Sequence, residues 1–544
     1  MATVTETPRT AALVGRLAFR GLSRGALIWG VVFALTIASS VFAYRSTYGT
    51  PAEREQLLRG LATNGGIQAL FGPTRRIDTV GGFLAWRTLA FMPLIAGIWG
   101  LLVATRMLRG EEDRGRWETL LFAPIDRGRA TLATLAAVGA GVGVIFGCSF
   151  AAVLLCATLS GDATVAGALW LALAVSLAGA AFAVVGGVTS QVAATRREAA
   201  ALAGAVFAAA FLVRVAADGS QSLTWLRWLT PLGWIEEMRP LTGARPLALL
   251  PMLAWIALLT LVSVRIAGRR DLGASILAHS DDRAPRDLGL GSALGLSLRE
   301  SLGGLAGWAF ALALTAFVFG FVSKAVADVA RHSAGVAAHV KSTVGSNIDI
   351  ASASGYLALV FVFLAVALSI YAVTHATAAR EEEATGRLDT VLGTPVSRRS
   401  WLGGRVVVAA LCSVLVALAV AFAAWAGAAV KGASVTLGDM LEASANTLPV
   451  VALFLGVAVL GYALAPRHTG AIAFGAVGGA YLWEQTGAIV KAPAWVLAIS
   501  PFHWLALVPS AAFDPVASAV MLAIGVLAAI AGIEVFRRRD LVTA

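Results

Sequence analysis

Two stretches of this 544-residue chain concentrate the side chains that could do chemistry. Glu111, Glu112, Asp113 and Glu118 lie together, and Glu382, Glu383 and Asp389 stand in matching places 271 positions later. Clustered carboxylates can hold a metal ion or work as an acid–base pair. No His or Cys accompanies these, however, and adjacent acids on a helix point in different directions, which fits neither chemistry well. Gly115-Arg116 and Gly386-Arg387 also keep step, as do Thr119 with Thr390 and Pro124 with Pro395, so a whole segment is repeated. A charged segment that occurs once per half suits a docking element for a partner, with a merely solvated turn as the plain alternative. The spacing predicts a short helix in each copy, followed by Asp126 or Ser397 as the N-cap of the next element.

The elements that must position these segments follow from composition. With 58% hydrophobic and 13% charged residues and a mean hydropathy of +0.80, the chain has too little polar surface to solvate a globule, so its solvent is lipid. Apolar segments of about 20 residues, enough for a hydrocarbon core of roughly 30 Å, lie near 26–44, 88–105, 131–158, 166–188, 199–216 and 247–266. A second set lies near 303–322, 355–377, 402–427, 448–465, 469–490 and 515–535. The expected fold is all-α and integral to the membrane, with about twelve transmembrane helices, although the Ala/Gly-rich stretches 131–190 and 402–485 could be divided otherwise.

Most of the 42 Lys and Arg residues fall in the N-terminus, the loops after the second and fourth spans of each half, the centre of the chain and the C-terminus. Those segments are therefore expected in the cytoplasm, with both termini inside and the protein multi-pass in a bacterial plasma (inner) membrane. The first apolar segment is too long for a typical cleaved signal and reads as a retained span. Residues 8–24, with Leu13, Leu17 and Leu22 against Arg16, Arg20 and Arg24, suit a separate short helix lying on the inner surface. The net charge of +11 is spread through the loops without a nucleic-acid module, so it reads as topology and contact with anionic lipid. Cys148, Cys156 and Cys412 lie in apolar spans as small hydrophobes, and the six His show no metal-ligand spacing.

The repeat has several further anchors. Arg196 with Gly204 matches Arg467 with Gly475, and Ile77-Asp78 matches Ile348-Asp349. Trp225, Pro231 and Trp234 correspond to Trp495, Pro501 and Trp504, and Arg269-Arg270-Asp271-Leu272 returns as Arg538-Arg539-Asp540-Leu541. We therefore expect a first six-span half over 1–272, a cytoplasmic linker over 273–302 containing Asp281, Asp282 and Pro285, and a second six-span half over 303–544. An even number of spans gives both copies one orientation, related by a pseudo-two-fold along the membrane normal.

At these residues the chain resembles the permeases of ABC-2-type exporters, in which a segment of the form Glu-Glu-x-x-Gly-x-x-Glu-x-Leu-Leu-x-x-Pro after the second span is the coupling helix. The two-in-one length, Pro231-Leu232-Gly233-Trp234 and the Arg-Arg-Asp-Leu ends look like the actinobacterial, including mycobacterial, tetronasin-type and multidrug efflux permeases. Each half would then be an ABC-2-type repeat. The resemblance implies that Glu111, Glu112, Gly115 and Glu118 in the first half, and Glu382, Glu383, Gly386 and Asp389 in the second, couple to an ATPase. It implies a partner too: two copies of one ABC ATPase subunit, which bind ATP and Mg, beneath a permease chain that is not itself an enzyme and carries no cofactor. Asp126 against Ser397, and Asp113-Arg114 against Ala384-Thr385, depart from one another, so the two docking contacts could differ in strength. The one Walker-like stretch, Gly335 to Ser342, lacks the Gly before Lys341 and has the wrong spacing.

The cargo implied is hydrophobic or amphiphilic: drugs, polyketide ionophores or lipids. The resemblance places its path among the second and fifth spans of each half. Gly204/Ala208 and Gly475/Gly479 are small-x-x-x-small pairs that permit close helix contact. Phe91, Met92, Trp99, Phe207, Phe211, Phe361, Phe363, Tyr371 and Phe474 are candidate path residues, or else lipid-facing and core side chains. Arg214 aligns with Glu484, and the two could pair as an outer gate or snorkel separately to the interface.

Outside the membrane, residues 45–87 and 323–354 form matched segments in which Leu57, Leu58, Leu61, Ile67 and Leu70 suggest capping helices. Trp225, Trp228, Trp234, Trp495 and Trp504 suit an interfacial belt or a lid. The competing function is an ion- or proton-driven secondary transporter with two six-span halves, which calls for buried Asp, Glu or His relays where these spans offer little beyond Glu484 and His375. A membrane-embedded lipid-modifying enzyme is disfavoured for want of a His/Asp/Cys constellation.

Overall fold

The computed structural model describes the chain apart from residues 1–7, 49, 52–53, 56–57, 59–67, 69–70, 123, 161–163, 220, 277–290, 333–350, 490–492 and 543–544. Expectations for Asp281, Asp282, Pro285, the Walker-like stretch, Ile348-Asp349, Leu57, Leu61, Ile67 and Leu70 fall outside the described residues. The chain divides into two compact units, Met1–Arg283 and Ala284–Ala544.

The first unit contains α1 (Pro8–Thr47), α2 (Val80–Met107), α3 (Arg109–Glu112), α4 (Arg116–Leu121), α5 (Arg127–Ser160), α6 (Val165–Val192), α7 (Arg196–Gly219), α8 (Pro231–Glu237) and α9 (Leu249–Arg269). The second contains α10 (Ala293–His332), α11 (Ala353–Ala384), α12 (Arg387–Leu392), α13 (Arg398–Val430), α14 (Leu437–Leu464), α15 (Thr469–Ile489), α16 (Ala494–Leu497) and α17 (Pro515–Arg538). Among the described residues there is no strand, and eleven helices are long and apolar enough to cross a membrane. The remaining apolar segment, 469–490, forms α15.

Local chemistry explains where these helices start. Thr79 caps α2 by accepting from Gly82 N at 3.0 Å, and Ser352 caps α11 by accepting from Gly355 N at 3.0 Å. Thr436 and Asp439 open α14 with a reciprocal capping box. The predicted caps hold as well: Arg129 N donates to Asp126 at 3.3 Å and Ser400 N to Ser397 at 3.1 Å. Helices can continue through lipid because nearly all their interior backbone groups are paired within the helix, Pro93 in α2 and Pro449 in α14 being interruptions, while their exposed flanks, such as Leu258 in α9 and Leu527 in α17, need an apolar surrounding.

The same pairings recur within each unit: α1 on α5 and α10 on α13, α2 on α6 and α11 on α14, α9 on α6 and α17 on α14. Glycine sets the closest approaches. A Cβ on Gly100 of α2 would come within 2.1 Å of the Gly179 carbonyl oxygen of α6, and one on Gly456 of α14 within 2.0 Å of that of Gly525 in α17. Gly204, Gly475 and Gly479 play no such part within their own units, where a Cβ on any of them would meet nothing within 4 Å among the described residues.

Several helices run past the expected apolar segments, α2 from Val80, α14 from Leu437 and α10 to His332 among them, and two boundaries redraw an expected element. Residues 8–24 form no separate surface helix; α1 runs unbroken from Pro8, with Val14, Ala18, Leu22 and Ala26 buried along one side. No proline interrupts it after Pro8, and the arginines sit on exposed positions of the same helix. In the second unit α10 begins at Ala293, so the last ten residues of the expected linker extend the following helix.

Candidate functional site: the repeated acidic segment

In each unit the acidic segment begins as a continuation of the second long helix. Glu112 ends α3, and Glu382 and Glu383 lie in the last turn of α11. The chain then turns through Gly115 and Gly386, whose φ angles of 71° and 74° lie in the left-handed region. Side chains with a Cβ resist that region, so the recurrence of Gly at this place has a backbone cause. The turn launches α4 and α12, each seated by one buried apolar residue, Trp117 or Leu388. Beyond that anchor Glu118 and Asp389 are exposed, and neither makes an ion pair among the described residues. Phe122, at the end of α4, is 89% exposed.

The second acid of each pair faces inward. Glu112 receives Arg270 Nη2 at 2.6 Å and Gly273 N at 2.8 Å. Glu383, its side chain 1% exposed, receives Arg539 at 2.6 and 2.7 Å and Val542 N at 2.8 Å. Arg109 donates to the carbonyl oxygens of Gly273 (3.2 Å) and Ala274 (3.1 Å), and Arg380 donates to that of Val542. Arg127 and Arg398, opening α5 and α13, donate to the carbonyls of Arg270 and Arg539. The Arg-Arg-Asp-Leu ends are thus one half of a clamp whose other half is the acidic segment. Glu112 and Glu383 hold the chain that follows α9 and α17.

The first acids differ between the units. Glu111 pairs with Arg116 and, at 3.7 Å, with Arg114, both within its own segment. Glu382 pairs with Arg405 of α13, which also holds Glu300 of α10 at 2.6 Å. Asp113 accepts from Arg196 N at 2.7 Å, tying the first segment to the start of α7; Ala384 at the matching place has no side chain to do so.

At the opposite end of the first unit lies an ion cluster that sequence reading named only through Arg214. Arg214, 1% exposed, pairs with Glu236 and, at 3.5 Å, with Asp218. Arg227 pairs with Asp218 at 2.7 Å. Glu237 gathers Arg75 (2.8 Å), Arg239 (2.9 Å) and Arg245 (3.1 Å). Burial penalises the Glu237 carboxylate, yet Arg75, Arg239 and Arg227 outweigh it and hold its pKa below the ordinary glutamate range. Arg239 and Leu241 beside it have positive φ, 50° and 60°, as has Arg76 at 48°. A signal existed: Arg214 and Asp218 are spaced i, i+4, and Glu236-Glu237 is an acid pair amid apolar residues.

The candidate gate residues therefore each have a partner in their own unit. Glu484 lies 3.2 Å from the His503 ring. Of the candidate path residues, Met92, Trp99, Phe361 and Tyr371 are buried, Phe207 and Phe211 are half-buried, and Phe91, Phe363 and Phe474 are exposed. None lines the cavity of about 620 Å3 in the first unit, which is bounded by Arg54, Arg76, Trp170 and Leu241. Trp225, Trp228, Trp495 and Trp504 are exposed, but Trp234 is buried, donating to the Trp228 carbonyl and packing edge-on to Trp255.

Comparison with known proteins bears on the whole of this arrangement. The multidrug efflux system permease protein Rv1217c of Mycobacterium tuberculosis is 28% identical over 517 residues, covering 94% of this chain and 92% of that protein. The family described as multidrug efflux system permease Rv1217c, C-terminal domain, matches residues 13–266 and 290–537, which take in both acidic segments and most of each unit. With nearly all its long helices inside that match, the chain belongs to the Rv1217c family of multidrug efflux permeases.

Proposed function

We propose that this chain is the transmembrane subunit of an ATP-driven exporter of the ABC-2 type, moving hydrophobic or amphiphilic compounds out of a bacterial cell. Twelve spans, six per half, would cross the plasma membrane with both termini in the cytoplasm. Energy would come from two copies of a separate ABC ATPase, which bind ATP and Mg, each docked on one acidic segment. The observation that carries this reading is the duplicated segment in which Glu118 and Asp389 project from an anchored short helix, while Glu112 and Glu383, just before the Gly turn that launches that helix, tie the segment to the chain at the end of α9 or α17. A partner that moved α4 or α12 would pull on the last long helix of the same half through this clamp, which is how a nucleotide-driven motion could reach the membrane.

The test is to purify the chain in lipid, alone and co-expressed with the ATPase encoded beside it, and to compare wild type with Glu118→Arg/Asp389→Arg. We expect no ATPase activity from the chain alone, an active complex with the wild type, and loss of that complex, with unchanged thermal stability, in the double variant. A complex unaffected by reversing both charges would place docking elsewhere.

A second reading, an ion- or proton-driven secondary transporter, is favoured by the buried Arg214 and Asp218 of α7, since ionisable groups in a span often mark an ion pathway. Transport driven by a proton gradient without any ATPase would select it.

A further inference from the structure

The second unit carries a column of polar side chains whose joint arrangement neither reading uses, although Tyr371, His375 and Glu382 were each singled out separately. On α11, Tyr371, His375 and Glu382 fall at i, i+4 and i+11, one face of the helix; on α13, Trp401, Arg405 and Cys412 repeat that spacing. The faces meet in antiparallel register: Glu382 pairs with Arg405 at one end, and the Tyr371 hydroxyl lies beside the Cys412 thiol at the other. Helix α10 closes the column with Glu300 against Arg405 at 2.6 Å and Trp308 against Tyr371 at 5.6 Å between ring centres.

At its two ends and between them, buried polar atoms are not satisfied by protein. Tyr371 Oη, His375 Nε2, Trp401 Nε1 and Arg405 Nε have no hydrogen-bond partner among the described residues. Sulfur is a weak acceptor and does little for Tyr371. Trp401 lies beyond the Arg405 end, its ring 5.4 Å from that of Phe536, but Tyr371, His375 and Arg405 follow one another along the column, and three such groups would be costly in a dry interior, whereas water meets donors and acceptors alike. The matching positions of the first unit, Gly100, Ala104, Thr134 and Gly141, carry no such set. There the space is packed: a Cβ on Gly141 would meet Leu22 at 2.7 Å and Trp99 at 2.8 Å.

We propose that α10, α11 and α13 enclose a hydrated site in the second unit alone, reached from the Glu300–Arg405–Glu382 end and extending to Cys412, which binds water or a small neutral hydrogen-bonding group. At 1.5 Å per residue, Tyr371 lies about 16 Å along α11 from Glu382, roughly half of a 30 Å hydrocarbon core. The site does not depend on what energises transport.

Cys412 is a built-in probe, because a charged methanethiosulfonate reacts with a thiol only where water brings it and ionises the sulfur. With Cys148 and Cys156 replaced by Ala, protein in lipid nanodiscs would be treated with the ethylammonium reagent. The control is Leu411→Cys in a Cys412→Ala background, since Leu411 is 54% exposed on the apolar side. Cys412, and a His375→Cys variant nearer the opening, should label at least about tenfold faster than the control, and His375→Phe should slow Cys412 about tenfold. If Cys412 and the His375→Cys thiol label no faster than the control, the column is dry and the proposal fails. If Cys412 labels rapidly and His375→Phe leaves its rate unchanged, the opening at the Glu382 end is wrong.

Discussion

Arg539 grips Glu383 through both terminal nitrogens, at 2.6 and 2.7 Å, while Val542 N donates to the same carboxylate at 2.8 Å. Arg270 and Gly273 stand in the same relation to Glu112 in the other unit, at 2.6 and 2.8 Å. In both places the carboxylate is withdrawn from solvent, so its partners replace water. Removing one member leaves the other charge bare, a loss of about 3–5 kcal/mol for a buried pair. Glu112→Gln and Glu383→Gln should each lower the thermal midpoint of the chain in lipid by several degrees without any partner present, as read by intrinsic fluorescence or light scattering. A charge reversal at these two residues would test the fold before it tested docking.

The exposed acids should behave in the opposite way. Glu118 and Asp389 touch no cation among the described residues, and surface charges away from special features contribute within about 0.5 kcal/mol. Glu118→Ala and Asp389→Ala should leave the midpoint where it is, and affinity for an ATPase partner, measured by pull-down or interferometry, should fall. An equal loss of stability at Glu118 and Glu112 would dissolve the distinction between holding and docking.

Gly115 and Gly386 carry a third expectation. A Cβ on Gly115 would have open space around it, so the cost of Gly115→Ala is set by φ = 71° alone, about 1–2 kcal/mol. Asn tolerates the left-handed region better than Ala or Val, so midpoints should rank Gly above Asn above Ala above Val at both positions. A flat ranking would mean that the turn relaxes out of that region.

How much of this was legible follows from which residues signal to their neighbours and which do not. The segment between the second and third long helices, its recurrence at 271 positions and the caps Asp126 and Ser397 are local features, and they were read correctly. Glu112 with Arg270 is a contact across 158 positions. Periodicity reports which face a residue occupies, not what it meets there. Both ends of the clamp did stand among the repeat's anchors, and their joint retention in the two halves was the clue. Arg16, Arg20 and Arg24 give the start of α1 the look of a separate surface helix, yet charges on an exposed side do not end a helix that nothing else breaks. The i, i+4 spacing of Arg214 and Asp218 marks one edge of the eight-residue ion cluster, but its assembly needs elements from residue 75 to residue 245 to converge, which local spacing does not announce.

The cluster gives Arg214 carboxylate partners within its own unit. Its nearest carboxylates are Glu236 and Asp218, both almost wholly buried, whereas Glu484 lies beside His503. A double-mutant cycle on thermal stability should give a coupling of about 1.5 kcal/mol or more between Arg214→Ala and Glu236→Ala, and less than about 0.5 kcal/mol between Arg214→Ala and Glu484→Ala. Strong coupling to Glu484 in any nucleotide state would restore the outer gate.

Glu237 supplies the pH dependence. Its pKa is depressed in the folded chain, because the attraction of Arg75, Arg239 and Arg227 outweighs the penalty of burial. A depressed carboxylate contributes stability that is fully present above its unfolded value, about 4.3, and is lost as the pH falls through the lower folded value. The sign follows from proton counting: between the two values the unfolded chain binds the extra proton, so acid favours unfolding. The thermal midpoint should therefore drop as the pH is taken from about 6 to about 3, and Glu237→Gln, which has no charge to lose, should show a lower midpoint at neutral pH and a shallower fall below it. Parallel curves for the two proteins across that window would show that the arginines around Glu237 are held by something other than its charge.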